Sequence, residues 1–459
     1  MGGEKVLNMN IKRINQLIKK NAEKHDAMKK AKEYYINKTD IEKTGVISTT
    51  VEKVRDNILR NADNRITHHF HGLLVDEKAA YMFTYPPIID IIDDDKKGAN
   101  EKVNAVLGHN FERKLKDLCI EASNCGVAWL HYWINDKNEF KYEKIPSEQC
   151  NPIYSGTLEN ELIGFVRTYS KLEYISDNTT ETFNYVELWD NKQFTIYKFK
   201  VGNEVNPIST EAINHQLGGV PFIKFANNML ETSDLDKYKN QIDLYDKVMS
   251  GYANDIEDIQ QIIYILENYG GEEDDFIQKL KRYKTIPLAN NEVEGKGDLR
   301  TLQIDIPVEA RKLILEVLKK QIYEFGQGLQ QDVESVGNAS GVALKFFYRK
   351  LELKSGNMET EFKEGINELV EAILRHLNIS HDKIQQTFTR NMISNDLENA
   401  QIAQQSIGII PTKYILRNHP WIDDPEEAED ILKEEQKERM LSMADIEYKK
   451  VVEGNADEE

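Results

Sequence analysis

The stretch Leu235–Leu266, LDKYKNQIDLYDKVMSGYANDIEDIQQIIYIL, decides how this chain is read. Its apolar positions are Leu235, Tyr238, Ile242, Tyr245, Met249, Tyr252, Ile256, Ile259, Ile263 and Leu266. They alternate steps of three and four, the 3.5-residue repeat of a helix that packs along its whole length. Asp234 stands where an N-cap would, and Gly270 and Gly271 close the run. The pattern predicts a helix over about 234–268, roughly 50 Å long at 1.5 Å per residue. A rod of that length needs neighbours, from its own chain or from other copies.

Working outward, Ala310, Ile314, Val317, Ile322, Phe325 and Leu329 form a second helical stripe. Between the two rods lies an excursion over 270–306. It opens on the acids 272–275 and then brings Lys279, Lys281, Arg282 and Lys284 close together. Strand-like runs at 283–289 and 299–305 flank its turn-rich centre. After the second rod, Gln331, Asp332, Val333, Glu334, Ser335, Val336, Gly337, Asn338 and Ala339 are polar or small and read as a loop within 330–341. A third helical pattern runs over 341–377 through Phe347, Leu351, Met358, Phe362, Ile366, Leu369 and Ile373. Gly356 and Gly365 lie inside it and predict a bend. A strand candidate at 384–390 and a helical segment over 395–450 follow.

The first half reads as mixed α+β. Val51, Val54, Ile58, Ala62, Ile66, Phe70 and Leu73 step as one helix; Val103, Val106, Phe111, Leu115, Leu118, Ala122 and Cys125 step as another, ended by Gly126. Runs rich in aromatic and β-branched residues at 127–134, 162–169, 183–189 and 194–200, separated by turn residues, predict an antiparallel sheet. No helical pattern separates the later strands, which argues against a doubly wound sheet.

Composition narrows the class. The 459 residues carry 59 Lys and Arg against 78 Asp and Glu, a formal net charge of −19. A protein that grips nucleic acid draws its affinity from phosphate contacts and is commonly basic, so here any contact with DNA must be local, transient or built on something other than net charge. Residues 1–32 are locally basic and 426–459 locally acidic, either interaction tails or solvated helical surface. No run approaches the ~18 apolar residues of a membrane span, and the N-terminal stretch lacks the apolar core of a secretory signal. Three cysteines, Cys119, Cys125 and Cys150, without a CxxC pair fit a reducing compartment.

No catalytic constellation is legible. Phosphate-cradling loops, HExxH, EF-hand spacing and the nucleophile elbow are all missing from the sequence, so no catalytic residue, metal or cofactor is expected. His68, His69 and His71 form one cluster, but a metal site would need a further ligand from elsewhere. Asp93, Asp94 and Asp95 read as a loop rather than a cation site. Trp129 and Trp133 share a strand face and read as packing.

Five segments, in order and spacing, carry a family resemblance: FHGLLVDEKAAYMFTYPPI (70–88), CGVAWLHYWINDKNEFKYEKIPSEQCNPIY (125–154), GGVPFIKFANN (218–228) with SDLDKYKNQIDLYDKVMSGYANDIEDI (233–259), NASGVALKFFYRKLELK (338–354) and NHPWIDDPEEAEDILKEE (418–435). Over about 50–440 the chain resembles the portal proteins of tailed bacteriophages, in the long-tailed-phage subgroup. The resemblance implies an α+β portal fold. Residues 1–230 would hold the N-terminal region and wing, 231–269 the first stem helix, 270–306 the clip and 307–329 the second stem helix. Residues 330–341 would be the tunnel loop, 342–393 the bent wing helix and strand, and 394–459 the crown with its acidic tail.

The resemblance further implies a ring, typically of twelve subunits, at one capsid vertex. Double-stranded DNA would pass through its channel in packaging and ejection. Residues 331–339 would face that DNA, and the basic clip residues would offer a partner surface. Terminase, head-completion connectors, and the major capsid and scaffold proteins would be partners. The location would be the virion, with the host cytoplasm during assembly. The rivals are another head structural protein, such as a scaffold, or a metal-dependent nuclease.

Overall fold

The computed structural model describes residues 9–44, 62–92, 98–176, 179–259, 263–267, 290–291, 295–296, 298–302, 307–329, 341–390, 396–417, 422, 428–435 and 437. The chain divides into two compact units: 1–330 with 350–391, and 331–349 with 392–459.

The larger unit begins with α1 (Ile11–Tyr35), capped by the Asn10 side chain, which accepts from the Arg13 amide at 2.9 Å. The short α2 (Asp40–Thr44) follows, then α3 (Phe70–Phe83), β1 (Ile88–Ile92), α4 (Ala99–Leu107) and α5 (Phe111–Cys125). The next eight strands build two antiparallel sheets. β2 (Val127–Ile134), β3 (Phe140–Ile145) and β9 (Phe222–Ala226) form one, in the order β3-β2-β9. β4 (Cys150–Tyr154), β5 (Leu162–Ser176), β6 (Thr179–Trp189), β7 (Gln193–Lys200) and β8 (Ser209–Asn214) form the other, a five-stranded meander.

Period-two alternation explains how the layers stack. Neighbouring residues Phe165 and Val166 are both fully buried but point to opposite faces of the meander. Phe165 stacks on Phe222 of the smaller sheet at 3.9 Å between ring centroids and meets Trp129 edge-on at 4.9 Å. Val166 packs with Val186, Phe199 and Ile14 of α1. The meander is therefore sandwiched between the smaller sheet and α1. Further along α1, Met28 joins the inter-sheet core, and Ala31 and Tyr34 join a third core with Phe70, Leu74, Tyr238, Ile242 and Ile322. One helix thus ties three cores together.

Helix α6 (Lys239–Ile259) and helix α7 (Val308–Phe325) pair along their length. Beyond α6, β10 (Ile263–Glu267) pairs antiparallel with β11 (Asp298–Leu302). Helix α8 (Gly341–Leu377) runs on to β12 (Lys383–Thr387), which closes an antiparallel pair with β1. In the second unit, α9 (Asp396–Ser406) and α10 (Thr412–Arg417) are helical. No helix among the described residues is long and apolar enough to cross a membrane.

Several expectations need correction. The rod predicted over 234–268 is shorter. Leu235–Lys237 is one turn of 3-10 helix, α6 spans 21 residues or about 31 Å, and Ile263 and Leu266 lie on a strand. The run IIYIL at 262–266 satisfies a helical step pattern and a β-propensity pattern alike, and the pairing of 263–267 with β11 decides for the strand there. Residues 62–69 are not helical, and α3 starts only at Phe70, with Leu73 exposed. The helix predicted across 103–125 is two helices, broken at Gly108 with φ 72°. The single predicted sheet is two, and β1, β3, β4, β8 and β9 are strands beyond the four runs read from the sequence. Gly126 does end α5, at φ 78°. A Cβ there would come 2.1 Å from the Glu231 carbonyl oxygen, so the site requires glycine twice over. In α8, Gly365 serves close packing: its Cβ would come 2.8 Å from the Lys224 carbonyl oxygen of β9.

Candidate functional site: the paired long helices and their buried anchor

The first rod's apolar residues behave in three ways. Leu235, Tyr238 and Ile242 are core. Tyr245, Met249 and Tyr252 are half-buried along the side that meets α7, and Ile256 is exposed. Past them the buried row of α6 is polar: Asp246, Ser250 and Asn254, each four residues on from the last. These side chains hold the non-helical segment 62–69. Asn64 donates its amide to Asn254 Oδ1 at 2.6 Å, and Ile66 donates its amide to Ser250 Oγ at 2.9 Å. His68 Nδ1 donates to Asp246 Oδ1 at 2.8 Å, and the other oxygen of Asp246 accepts from Thr39 Oγ1 at 2.6 Å. Every second residue of the strap meets every fourth residue of the helix. Two residues of extended chain advance about 6.6 Å and four of helix about 6.0 Å, so the two repeats match over this span.

Where α6 begins, a second polar cluster is sealed from solvent. Lys78 Nζ of α3 donates to Asp234 Oδ2 at 2.6 Å and to Asn227 Oδ1 at 2.7 Å. Lys354 Nζ of α8 lies 3.1 Å from the same Asp234 oxygen and donates to the Gly326 carbonyl at the end of α7, at 2.9 Å. Both lysines and the aspartate are buried. Burial alone would raise Asp234; the ammonium groups of Lys354 and Lys78 overcome it and hold the carboxyl well below its usual range. Lys354 is pulled down to about 8 by burial, against the attraction of Asp234. Next to the cluster, Glu77 accepts the Leu329 amide at 3.0 Å, and burial raises its carboxyl even so. Residues 326–329, the last described before 330–340, are therefore fixed by α3 and α8 together.

Two histidines of the cluster, His68 and His71, are held inside the fold by hydrogen bonds. His71 lies between the Tyr238 hydroxyl and Asn124 Oδ1, each at 2.8 Å, and burial lowers it to about 4. With Asn124 accepting from Nε2, the hydroxyl donates to Nδ1 of a neutral ring. His68 is bound to Asp246 as above. Trp129 is core and Trp133 half-exposed; all three cysteines are free and buried. One group among the described residues has a metal-like donor set: Glu121, Cys125 and Glu148, with ligand atoms within 4.8 Å of one another. Lys32 Nζ already fills that role, 2.7 Å from Glu121 and 2.6 Å from Glu148.

The expected loop residues 331–339, the basic residues Lys279, Lys281, Arg282 and Lys284, and Asp93–Asp95 lie outside the described residues. Nothing is described of the Ile259, Ile263 and Leu266 side chains. On α7 the buried positions are Leu318 and Ile322, while Leu313, Ile314, Val317 and Phe325 face outward. Most of the apolar stripe read from the sequence is thus the helix's open side. Sequence reasoning missed both polar clusters. Lys78 inside the apolar helix FHGLLVDEKAAYMF and the strict four-residue spacing of Asp246, Ser250 and Asn254 were the available signals.

The profile of the family described as "Phage portal protein, SPP1 Gp6-like" matches residues 14–440. A portal protein of Clostridium phage phiCD119 is 53% identical over 452 residues, covering 95% of this chain and 98% of that protein. The portal protein of Bacillus phage SPP1 is 29% identical over 433 residues, covering 90% of this chain and 84% of that protein.

Proposed function

The chain belongs to the phage portal proteins of the SPP1 Gp6-like family, and on that footing we propose that twelve copies close into a ring at one capsid vertex. Double-stranded DNA is packaged and ejected through its channel. In this reading α6 and α7 are the stem, 270–306 is the clip that docks terminase and later the head-completion connectors, and 331–339 is the loop that touches DNA. The wing and crown meet the major capsid and scaffold proteins. ATP hydrolysis belongs to terminase, and this subunit does no chemistry. Assembly takes place in the host cytoplasm, and the finished ring resides in the virion.

The observation that carries the reading is the open side of α7. Leu313, Ile314, Val317 and Phe325 remain exposed in a helix whose other side is packed, a surface that a neighbouring copy would cover. The proposed DNA contact fits the charge balance. The loop sequence 331–339 holds Asp332 and Glu334 and no Lys or Arg, so it offers no cation to grip phosphate and lets the duplex slide. Negative-stain images of the purified chain should show rings with a central hole. A monodisperse monomer across a range of salt concentrations would overturn the proposal.

A further inference from the structure

The pairing of α6 with α7 leaves a shallow groove of about 350 Å³. A cavity of ~150 Å³ accepts a benzene ring, so this one has room for about two aliphatic side chains. Tyr245, Met249 and Tyr252 of α6 and Leu315 of α7 form its floor, and Lys312, Glu316 and Lys319 its rim. Arg311 is held at the base by Asp255 and lies over the Tyr252 ring, 5.4 Å from its centroid, so the aromatic wall is fixed in place.

The other side of α7 has the complementary relief. Leu313 is 63% exposed and Val317 45% exposed. They stand one turn apart as an apolar ridge, with the exposed acid Glu309 one turn before it, Lys320 after it, and Glu324 beyond, 3.5 Å from Lys350 Nζ. At 100° per residue, the groove residues of α7 and the ridge lie roughly 150° apart around the helix. A groove and a matching ridge on different faces of one subunit make a head-to-tail contact, and such contacts close into rings. The wide angle between them suits a ring of many members.

We propose that this groove is the seat for the Leu313–Val317 ridge of the neighbouring copy. The inference rests on the ring reading above and adds which surfaces meet. The cationic rim residues Lys312 and Lys319 lie where the neighbour's Glu309 can meet them, and the two aliphatic side chains fill the floor between Met249 and Leu315.

Cysteine cross-linking in the full chain tests it. Met249→Cys is combined with Leu313→Cys in one variant and with Val317→Cys in another, and each is oxidised with diamide after assembly. The three native cysteines are buried. At least one pair should give a ladder of covalent oligomers on a non-reducing gel, with none from the single substitutions. Independently, Leu313→Asp should raise the subunit concentration for half-assembly at least tenfold without changing the thermal midpoint of the subunit, because that side chain is exposed. Wild-type rings with no ladder from either pair and unimpaired assembly of Leu313→Asp would overturn the groove assignment and leave the portal reading intact. A covalent dimer from Met249→Cys alone would indicate groove-to-groove pairing and overturn it too. Failure of the wild-type chain to form rings would overturn both.

Discussion

Replacing Asp234 by Asn strikes the one anion shared by two buried ammonium groups. The substitution keeps the shape of the side chain and strands Lys78 and Lys354 without a counter-charge. Breaking a buried pair costs about 3–5 kcal/mol, and here two cations lose the same partner, so Asp234→Asn should lie at or above the top of that range. Lys354→Met should behave differently. The fall of Lys354 from 10.5 to about 8 corresponds to about 3 kcal/mol against its charged form, and the substitution removes that penalty. It also loses the charged hydrogen bond to Gly326, worth about 1.5–3 kcal/mol. The two terms nearly cancel, so Lys354→Met should stay within ~1.5 kcal/mol of the parent. The double variant should recover about 2 kcal/mol of the Asp234→Asn loss, a coupling measurable by a mutant cycle. Urea unfolding at pH 7 and matched subunit concentration, followed by tryptophan fluorescence, gives the values. The unfolded chain keeps the Lys354 proton to about 10.5 while the folded chain releases it near 8. Stability of the parent relative to Lys354→Met should therefore rise as pH climbs from 8 towards 10. Equal cost for Lys354→Met and Asp234→Asn, or an Asp234→Asn variant within 1 kcal/mol of the parent, would refute the reasoning.

Burial holds His71 and His131 at about 4, below the ordinary 6.5. The unfolded chain takes up these protons first as pH falls, so stability should drop between pH 6.5 and 4. A thermal midpoint that is flat across that window would contradict the burial of both rings. Removing the strap's acceptors with Ser250→Ala or Asn254→Ala leaves a backbone amide unpaired and should cost about 1–3 kcal/mol each. Amide exchange at Ile66 or Asn64 should accelerate correspondingly, and unchanged protection would count against the strap. Deleting 332–338 should leave rings visible by microscopy but stop DNA packaging in vivo; normal packaging would remove 331–339 from the DNA path.

The parts of the fold that the sequence announced are those with a single strong period. Strands β2, β5, β6 and β7 stood out because aromatic and β-branched residues alternate between two packed faces, and α8 because its apolar residues from Phe347 to Ile373 keep one phase for about seven turns. The failures have physical causes. The sequence at 262–266 fits a helical step and a strand propensity alike, and only the pairing of 263–267 with β11 separates them. The strap at 62–69 mimics a helix because Ile66 and Phe70 are four apart, while its amides are taken by side chains more than 180 residues away. Of the candidate site, the α6–α7 pair was legible and its buried anchor was not. Local patterning cannot report that Lys78, Asp234 and Lys354 meet in one buried cluster, since that depends on three elements meeting.

The strap on α6 sets a parity rule for sequence change. Asn64, Ile66 and His68 reach the helix, whereas Arg65 turns away to bond Asp63 and the Glu42 carbonyl. One residue inserted between 64 and 68 would exchange these two sets on one side of the insertion, bringing the Thr67 hydroxyl where the His68 imidazole meets Asp246 or the Arg65 side chain where that of Ile66 lies. Two residues would restore the alternation but lengthen the strap against a helix that has not grown. Divergence among relatives in 62–68 should therefore proceed by substitution and not by changes of length.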